Sequence, residues 1–277
     1  MPGAVAVGTP ASGAANHGIE PGAGRDQKTV EVSAVTRVYG KGDRAVRALS
    51  DVSLTVYKGE FVAVVGPSGC GKSTLLRIIA GLAKPTSGSV RINGEEVSAP
   101  RDDVGLMFQT PTLFEWRTIE RNITLPLEVK GDTRVDRSAR VQELLNLVGL
   151  AGLGQRRPRE LSGGMQQRVA LCRLLVSDPS LMLLDEPFGA LDEFTRERLN
   201  IEVAALIGQE ERTAVLVTHN VAEAVFLSDR VLVMGTNPGR TLGTVDVNLP
   251  RPRTPEMMAS TEHLRHVREI RTALGLL

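Results

Sequence analysis

The chain has 277 residues, of which 42% are hydrophobic and 23% charged, with a formal net charge of +1. That length supports one large globular domain or two small ones, and the near-neutral balance gives no bulk electrostatic support to a polyanion-binding surface. The two cysteines, Cys70 and Cys172, form no CxxC pair, which argues against a disulfide framework or structural zinc and fits a reducing cytosol.

Residues 1–28 are rich in Gly, Ala and Pro without a hydrophobic period, and read as a disordered N-terminal extension. From Thr29 the stretches TVEVSAVTRVY and LSDVSLTVYKGE partly alternate, as half-buried antiparallel strands do. SVRINGEEV reads as a hairpin turning at Asn93-Gly94. Four runs are apolar throughout (61–66, 181–185, 214–219 and 230–235), the pattern of strands buried on both faces of a parallel sheet. KSTLLRIIAGL reads as a helix stopping near Gly81 and Pro85. RSARVQELLNLVGL reads as another, with Leu144, Leu147 and Val148 on one face. Helix and loop fill most of the chain between Gln109 and Leu161, a helical insert in an α/β domain. A final amphipathic helix is expected with Leu264, Val267, Ile270 and Leu274 along one face. No apolar run approaches the ~18 residues that span a bilayer, and no secretory signal opens the chain. The protein therefore reads as soluble by itself, held at a membrane only through a partner.

Gly66-Pro67-Ser68-Gly69-Cys70-Gly71-Lys72-Ser73-Thr74 fits G-x-x-x-x-G-K-[ST], directly after a buried strand and opening a helix. Its glycines let backbone wrap phosphates and the helix start adds unpaired N–H groups. Lys72 reaches the β- and γ-phosphates, and Ser73 can hold Mg²⁺. Cys70 fills a free loop position as a small residue. In LMLLDEP, Asp185 ends a buried strand where P-loop enzymes place a carboxylate for the Mg²⁺ shell, and Glu186 can polarise an attacking water. LSGGMQQR, 161–168, is a second glycine turn opening a helix: Ser162 offers a hydroxyl, Gly163 and Gly164 unobstructed N–H groups.

In this order and company the motifs resemble the ATP-binding cassette (ABC) family from Thr29 to about Gly235, and LSGGMQQR resembles that family's signature. The resemblance implies a P-loop NTPase of ABC type. Its α/β core would be a mostly parallel sheet, with an antiparallel β subdomain and a helical subdomain bearing the signature. The implied ATPase domain is 29–247, with the helical subdomain at 110–177 and a short helical tail at 248–277. It also implies a homodimer, or a pair with a homologous ATPase subunit, in which each signature covers the ATP held by the partner's phosphate loop. Residue by residue, Tyr39 matches the aromatic that stacks on adenine and Gln109 the glutamine that senses Mg²⁺ and the attacking water. Asp192 matches the aspartate working across the interface, and His219 the histidine at the γ-phosphate. Cys172 and Leu174 stand where the family commonly has small alanines, and Asn220 where it often has aspartate; none removes a catalytic group.

The chain shows no sustained heptad of the DNA-repair type, a single cassette and no fused membrane helices. The resemblance therefore narrows to the ATPase subunit of a bacterial importer, a non-transport ATPase bound to DNA or ribosomes being the rival. Such a subunit works peripherally at the cytoplasmic face of the membrane with integral permease subunits, and indirectly with an extracytoplasmic substrate-binding protein, not with nucleic acid. TLFEWRTIERNITLPLEVKG and NPGRTLGTVDVNLPRPR are similar to the importers of nitrate, aliphatic sulfonates and taurine. Pyrimidine-precursor importers have similar ATPases. Glu115 replaces the subgroup's usual proline. Trp116 admits two readings, a permease contact alongside Arg117 or a core residue.

Overall fold

The computed structural model describes residues 27–131, 137–189, 191–209 and 212–277, apart from the side chains of Asp43 and 206–209. Two long antiparallel strands open it, β1 (Lys28–Tyr39) and β2 (Val46–Tyr57). The expected N-terminal extension lies outside the described residues as far as 26, but its last two residues belong to the fold. The Gln27 carbonyl accepts from the Lys58 amide at 2.8 Å, and Lys28 pairs with Tyr57. After β3 (Phe61–Val65) and α1 (Lys72–Ile79), β4 (Ser87–Ile92) turns into β5 (Glu95–Glu96). The turn is the expected Asn93-Gly94, at φ 52° and 81°, the left-handed pair a two-residue hairpin requires. These strands form a four-stranded antiparallel sheet in the order β2-β1-β4-β5.

The second sheet adds β6 (Val104–Met107), β7 (Leu181–Asp185), β8 (Thr213–Thr218), β9 (Arg230–Gly235) and β10 (Arg240–Asp246). Its order is β10-β9-β3-β8-β7-β6, parallel except for β10. The four apolar runs are its four central strands. Their side chains alternate between two cores: Phe61, Ala63, Met182, Leu184 and Leu216 face one, Val62, Val64, Leu181, Leu183 and Val215 the other. Burial on both sides is why the runs read as continuous rather than alternating. The two edge strands carry no such signal. β6 is short and mostly half-exposed, and β10 keeps only Val245 buried.

Between β6 and β7 lie α2 (Ile119–Ile123), α3 (Leu125–Lys130), α4 (Arg137–Leu147) and α5 (Gly163–Leu175). On α4 the buried face is Val141, Leu144 and Leu145, continued by Val148, while Leu147 is only partly covered. Each such buried aliphatic side chain contributes about 2 kcal/mol of transfer free energy. Cys172 packs beneath α4, its thiol donating to the Leu144 carbonyl at 3.4 Å, and burial pushes its pKa up to about 12. Trp116 is not core: it is 71% exposed, with its ring 4.9 Å from that of Phe114. Beside it Arg117 pairs with Glu128 at 2.7 Å.

The last segments are α6 (Glu193–Gln209), α7 (Val221–Leu227) and α8 (Thr261–Ala273), with α8 packed on α7. The expected face of α8 is rotated. Leu264 is 56% exposed, and the buried residues are His263, His266 and Ile270. Val267 and Leu274 pack only partly. The rotation follows from the partner: His263 Nε2 meets the Ala222 carbonyl at 3.2 Å, a contact invisible to hydrophobic periodicity. Burial pushes both imidazoles below their ordinary pKa of 6.5, so the docked helix holds them neutral. Where the folded pKa lies below the unfolded one, stability is complete above the unfolded pKa and declines as pH falls beneath it. The melting temperature should therefore drop as pH is lowered from 7 towards 5. The variant carrying both His263→Gln and His266→Gln should show a shallower decline; an identical pH dependence would refute this origin.

Candidate nucleotide site

The phosphate loop starts where β3 ends. A Cβ on Gly66 would lie 2.5 Å from the Met234 carbonyl oxygen, and Gly71 holds φ 90° as it caps α1. Neither position accepts a side chain without displacing backbone, so the loop's path depends on glycine. Lys72 is 6% exposed; its ammonium donates to the Gly66 and Pro67 carbonyls at 2.8 and 3.1 Å and points along the loop interior. Pro67, Ser68 and Gly69 form the exposed rim, and Thr74 is half-buried. The Cys70 thiol is fully buried, 3.9 Å from Lys72 Nζ, and burial raises its pKa; it lines the loop and is not poised as a nucleophile.

Ser73 Oγ donates to Asp185 Oδ1 at 2.8 Å, joining α1 to the end of β7. Burial holds the Asp185 carboxyl above its ordinary range, with Ser73 opposing. A hydroxyl and a carboxylate brought together at the phosphate loop are hard oxygen donors of the kind Mg²⁺ prefers, so the residues fit that ion. One residue on, the Glu186 amide still pairs with the Val217 carbonyl, but its φ is 46°. This left-handed twist costs about 1–2 kcal/mol in an L-residue. Gln109 Nε2 donates to Glu186 Oε2 at 3.1 Å, and His219 Nδ1 lies 3.3 Å from the same oxygen. Three residues singled out from separate motifs thus meet on one carboxylate. Gln109 is tied there and, among the described residues, has no hydrogen bond to Ser73 or Asp185, the pair with which it was expected to share Mg²⁺.

The signature residues lie apart from this cluster. Ser162 caps α5, its hydroxyl accepting from the Met165 amide at 3.3 Å, and Gly163 has open space where a Cβ would be. Among the described residues no hydrogen bond joins Ser162, Gly163 or Gly164 to residues 66–74. Asp192 caps α6, accepting from the Thr195 amide at 2.9 Å, a bond that keeps its carboxyl below the ordinary range. Tyr39, at the end of β1, is 40% exposed, and the Arg37 guanidinium lies 4.6 Å from its ring centroid, covering one π-face.

Two site-positioning residues were not singled out from the sequence, one at the end of the signature motif and one beyond it. Gln167, on α5 and 1% exposed, donates to the Gln109 carbonyl at 3.3 Å. Arg173 on the same helix donates to the Pro111 and Thr112 carbonyls at 2.7 and 2.9 Å. The signature helix therefore anchors the loop that delivers Gln109 to Glu186. Locally nothing sets them apart, since the same helix also carries Gln166 and Arg168.

The chain is similar to known proteins. Residues 49–189 match the family described as ABC transporter. The taurine import ATP-binding protein TauB of Pelagibacter ubique is 48% identical over 200 residues, covering 72% of this chain and 75% of its own. The aliphatic sulfonates import ATP-binding protein SsuB of Bacillus cereus is 43% identical over 226 residues, 82% of this chain and 89% of its own. Among solved structures, the dimeric post-hydrolysis state of the ATP-binding cassette MJ0796 bound to ADP and Pi superposes with a TM-score of 0.73. It is 33% identical, and the match covers 80% of this chain and all of that one. No described helix is long and apolar enough to cross a membrane. At these identities and coverages the chain belongs to the ABC transporter family, as the ATP-hydrolysing subunit of an importer.

Proposed function

We propose that two copies of this chain close around two ATP molecules and drive a membrane permease that imports a small anion such as taurine, an aliphatic sulfonate or nitrate. The observation that carries the hydrolytic part is the meeting of Gln109 and His219 on Glu186, beside the Ser73–Asp185 pair. In this reading the loop amides and Lys72 bind the β- and γ-phosphates, and Ser73 and Asp185 hold Mg²⁺, which neutralises phosphate charge. Glu186 takes the proton of the attacking water, Gln109 orients that water, and His219 steadies the γ-phosphate. Positioning and charge supply most of the rate. Ser162, Gly163 and Gly164 act on the partner's nucleotide: the first two are exposed at a helix N-terminus, and among the described residues none of the three bonds to its own phosphate loop, which favours an anion from outside the chain. Asp192 works across the same interface, and Tyr39 stacks on adenine with its uncovered face.

Docking to the permease uses the helical insert around Trp116 and Arg117, the chain lying at the cytoplasmic face of the membrane. The exposed Trp116, its ring against that of Phe114, supports this as an aromatic anchor. The anion class rests on likeness to the taurine and sulfonate importers' subunits. Purification of the tagged chain from gently solubilised native membranes tests the whole reading. Recovery of a multi-span permease is expected; recovery only with ribosomes or DNA would overturn the transport role while leaving the ATPase chemistry standing.

A further inference from the structure

Behind His219 lies a buried polar network that the hydrolytic residues do not use. Glu223, on the first turn of α7, is 6% exposed. Its carboxylate accepts hydrogen bonds from the Thr218 hydroxyl and the Asn200 side chain, with Arg196 near enough to act on it electrostatically. The residue thus holds both neighbours of His219, Thr218 through its carboxylate and Asn220 through its backbone amide. Thr218 Oγ1 also accepts from the Asn220 amide at 3.0 Å, and Asn220 Oδ1 accepts from the Glu223 amide at 3.1 Å.

The far side of the network belongs to α6. Asn200 is itself buried at 5%. One turn earlier, Arg196 donates to the Phe188 and Leu191 carbonyls at 3.3 and 2.7 Å, bracing residues that closely follow Glu186. Glu223 thus joins the segment that presents His219 to the helix that braces the turn after Glu186. Burial raises its pKa, so an ionisable group is kept here against a desolvation cost that an apolar residue would avoid. Packing alone does not call for a carboxylate in this place.

We propose that Glu223 is a positioning residue for ATP hydrolysis, holding His219 and the Phe188 and Leu191 carbonyls that follow Glu186 in mutual register through Thr218, Asn200 and Arg196. It touches neither the phosphate loop nor Ser73 among the described residues, so it acts on turnover and not on nucleotide affinity. The inference rests on the ATPase reading and on His219 acting at the γ-phosphate.

The test is steady-state Mg-ATPase kinetics of Glu223→Met, which removes both acceptor oxygens at similar length, of Thr218→Val and of the double variant, each checked for folding by thermal melting. In both single variants kcat should fall roughly tenfold while the KM for ATP stays within about twofold, because a misplaced catalytic group slows chemistry without loosening the phosphate grip. The double variant should be no slower than the slower single one, since both substitutions break one linkage. Wild-type kcat in either folded single variant, an equal change in KM, or additive losses would overturn the proposal. If Glu223→Met does not fold, Thr218→Val, which loses only a hydroxyl, carries the same prediction and the same refutation. An inactive wild-type chain measured in parallel would overturn the ATPase reading and this inference with it, whereas unchanged variants beside an active wild type overturn the inference alone.

Discussion

Glu186→Gln should lower the turnover of ATP by roughly 10²–10³-fold while leaving ATP affinity near that of the wild type. The substitution keeps the size and shape of the side chain and an oxygen able to accept from Gln109, now 3.1 Å from Glu186 Oε2. It removes only the capacity to take a proton. The groups assigned to the phosphates, Lys72 and the loop amides, stand on α1 and its preceding turn, and the Ser73–Asp185 bond is one residue removed from the change. Binding energy should therefore survive where chemistry does not, and the ATP-loaded state should persist. Phosphate release and titration with a fluorescent ATP analogue measure the two halves. Near-normal turnover would remove Glu186 from the role of base, whatever else holds.

Lys72→Ala should have the opposite signature, weakening ATP binding by about a hundredfold, as expected when a buried cation aimed at a polyanion is deleted. Lys72 is 6% exposed and bonded to the Gly66 and Pro67 carbonyls, so its loss also leaves a void and two carbonyls without their ammonium partner. A melting temperature lower by a few degrees should accompany the loss of affinity. Retention of wild-type affinity in a folded Lys72→Ala protein would show that the loop amides hold the phosphates alone.

How far the fold could be read in advance depended on where each element stood. The central strands were legible because β3, β7, β8 and β9 are buried on both faces and need apolar residues at every position. β6 and β10 sit at the sheet edges, where pairing to one neighbour suffices and composition is freer; in β10, Thr, Gly and Asp intervene. The phosphate loop and Asp185 were legible because their chemistry is compressed into short motifs flanked by strand and helix patterns. The roles of Gln167 and Arg173 were not, even with Gln167 inside the signature motif, because the carbonyls they hold come from distant chain segments. Gln167 reaches a carbonyl 58 residues away and Arg173 ones 61 and 62 away, distances no local period reports. The buried histidines of α8 belong to the same class, since His263 finds its partner on α7. The exposure of Trp116 also waited for the structure, an apolar indole being as consistent with core as with surface.

The central claim is that one chain's signature completes the other chain's nucleotide site. Sedimentation of the Glu186→Gln protein with and without Mg-ATP tests it most directly, alongside the same protein carrying Ser162→Arg. Ser162 is exposed and its hydroxyl caps α5, so the added change costs about 1 kcal/mol of stability and leaves the phosphate loop untouched. Glu186→Gln should form an ATP-dependent dimer that disappears when Ser162→Arg is added, with ATP still bound by the monomer. An equally stable dimer with Ser162→Arg, or an ATP-loaded Glu186→Gln protein that stays monomeric at every concentration, would contradict the claim.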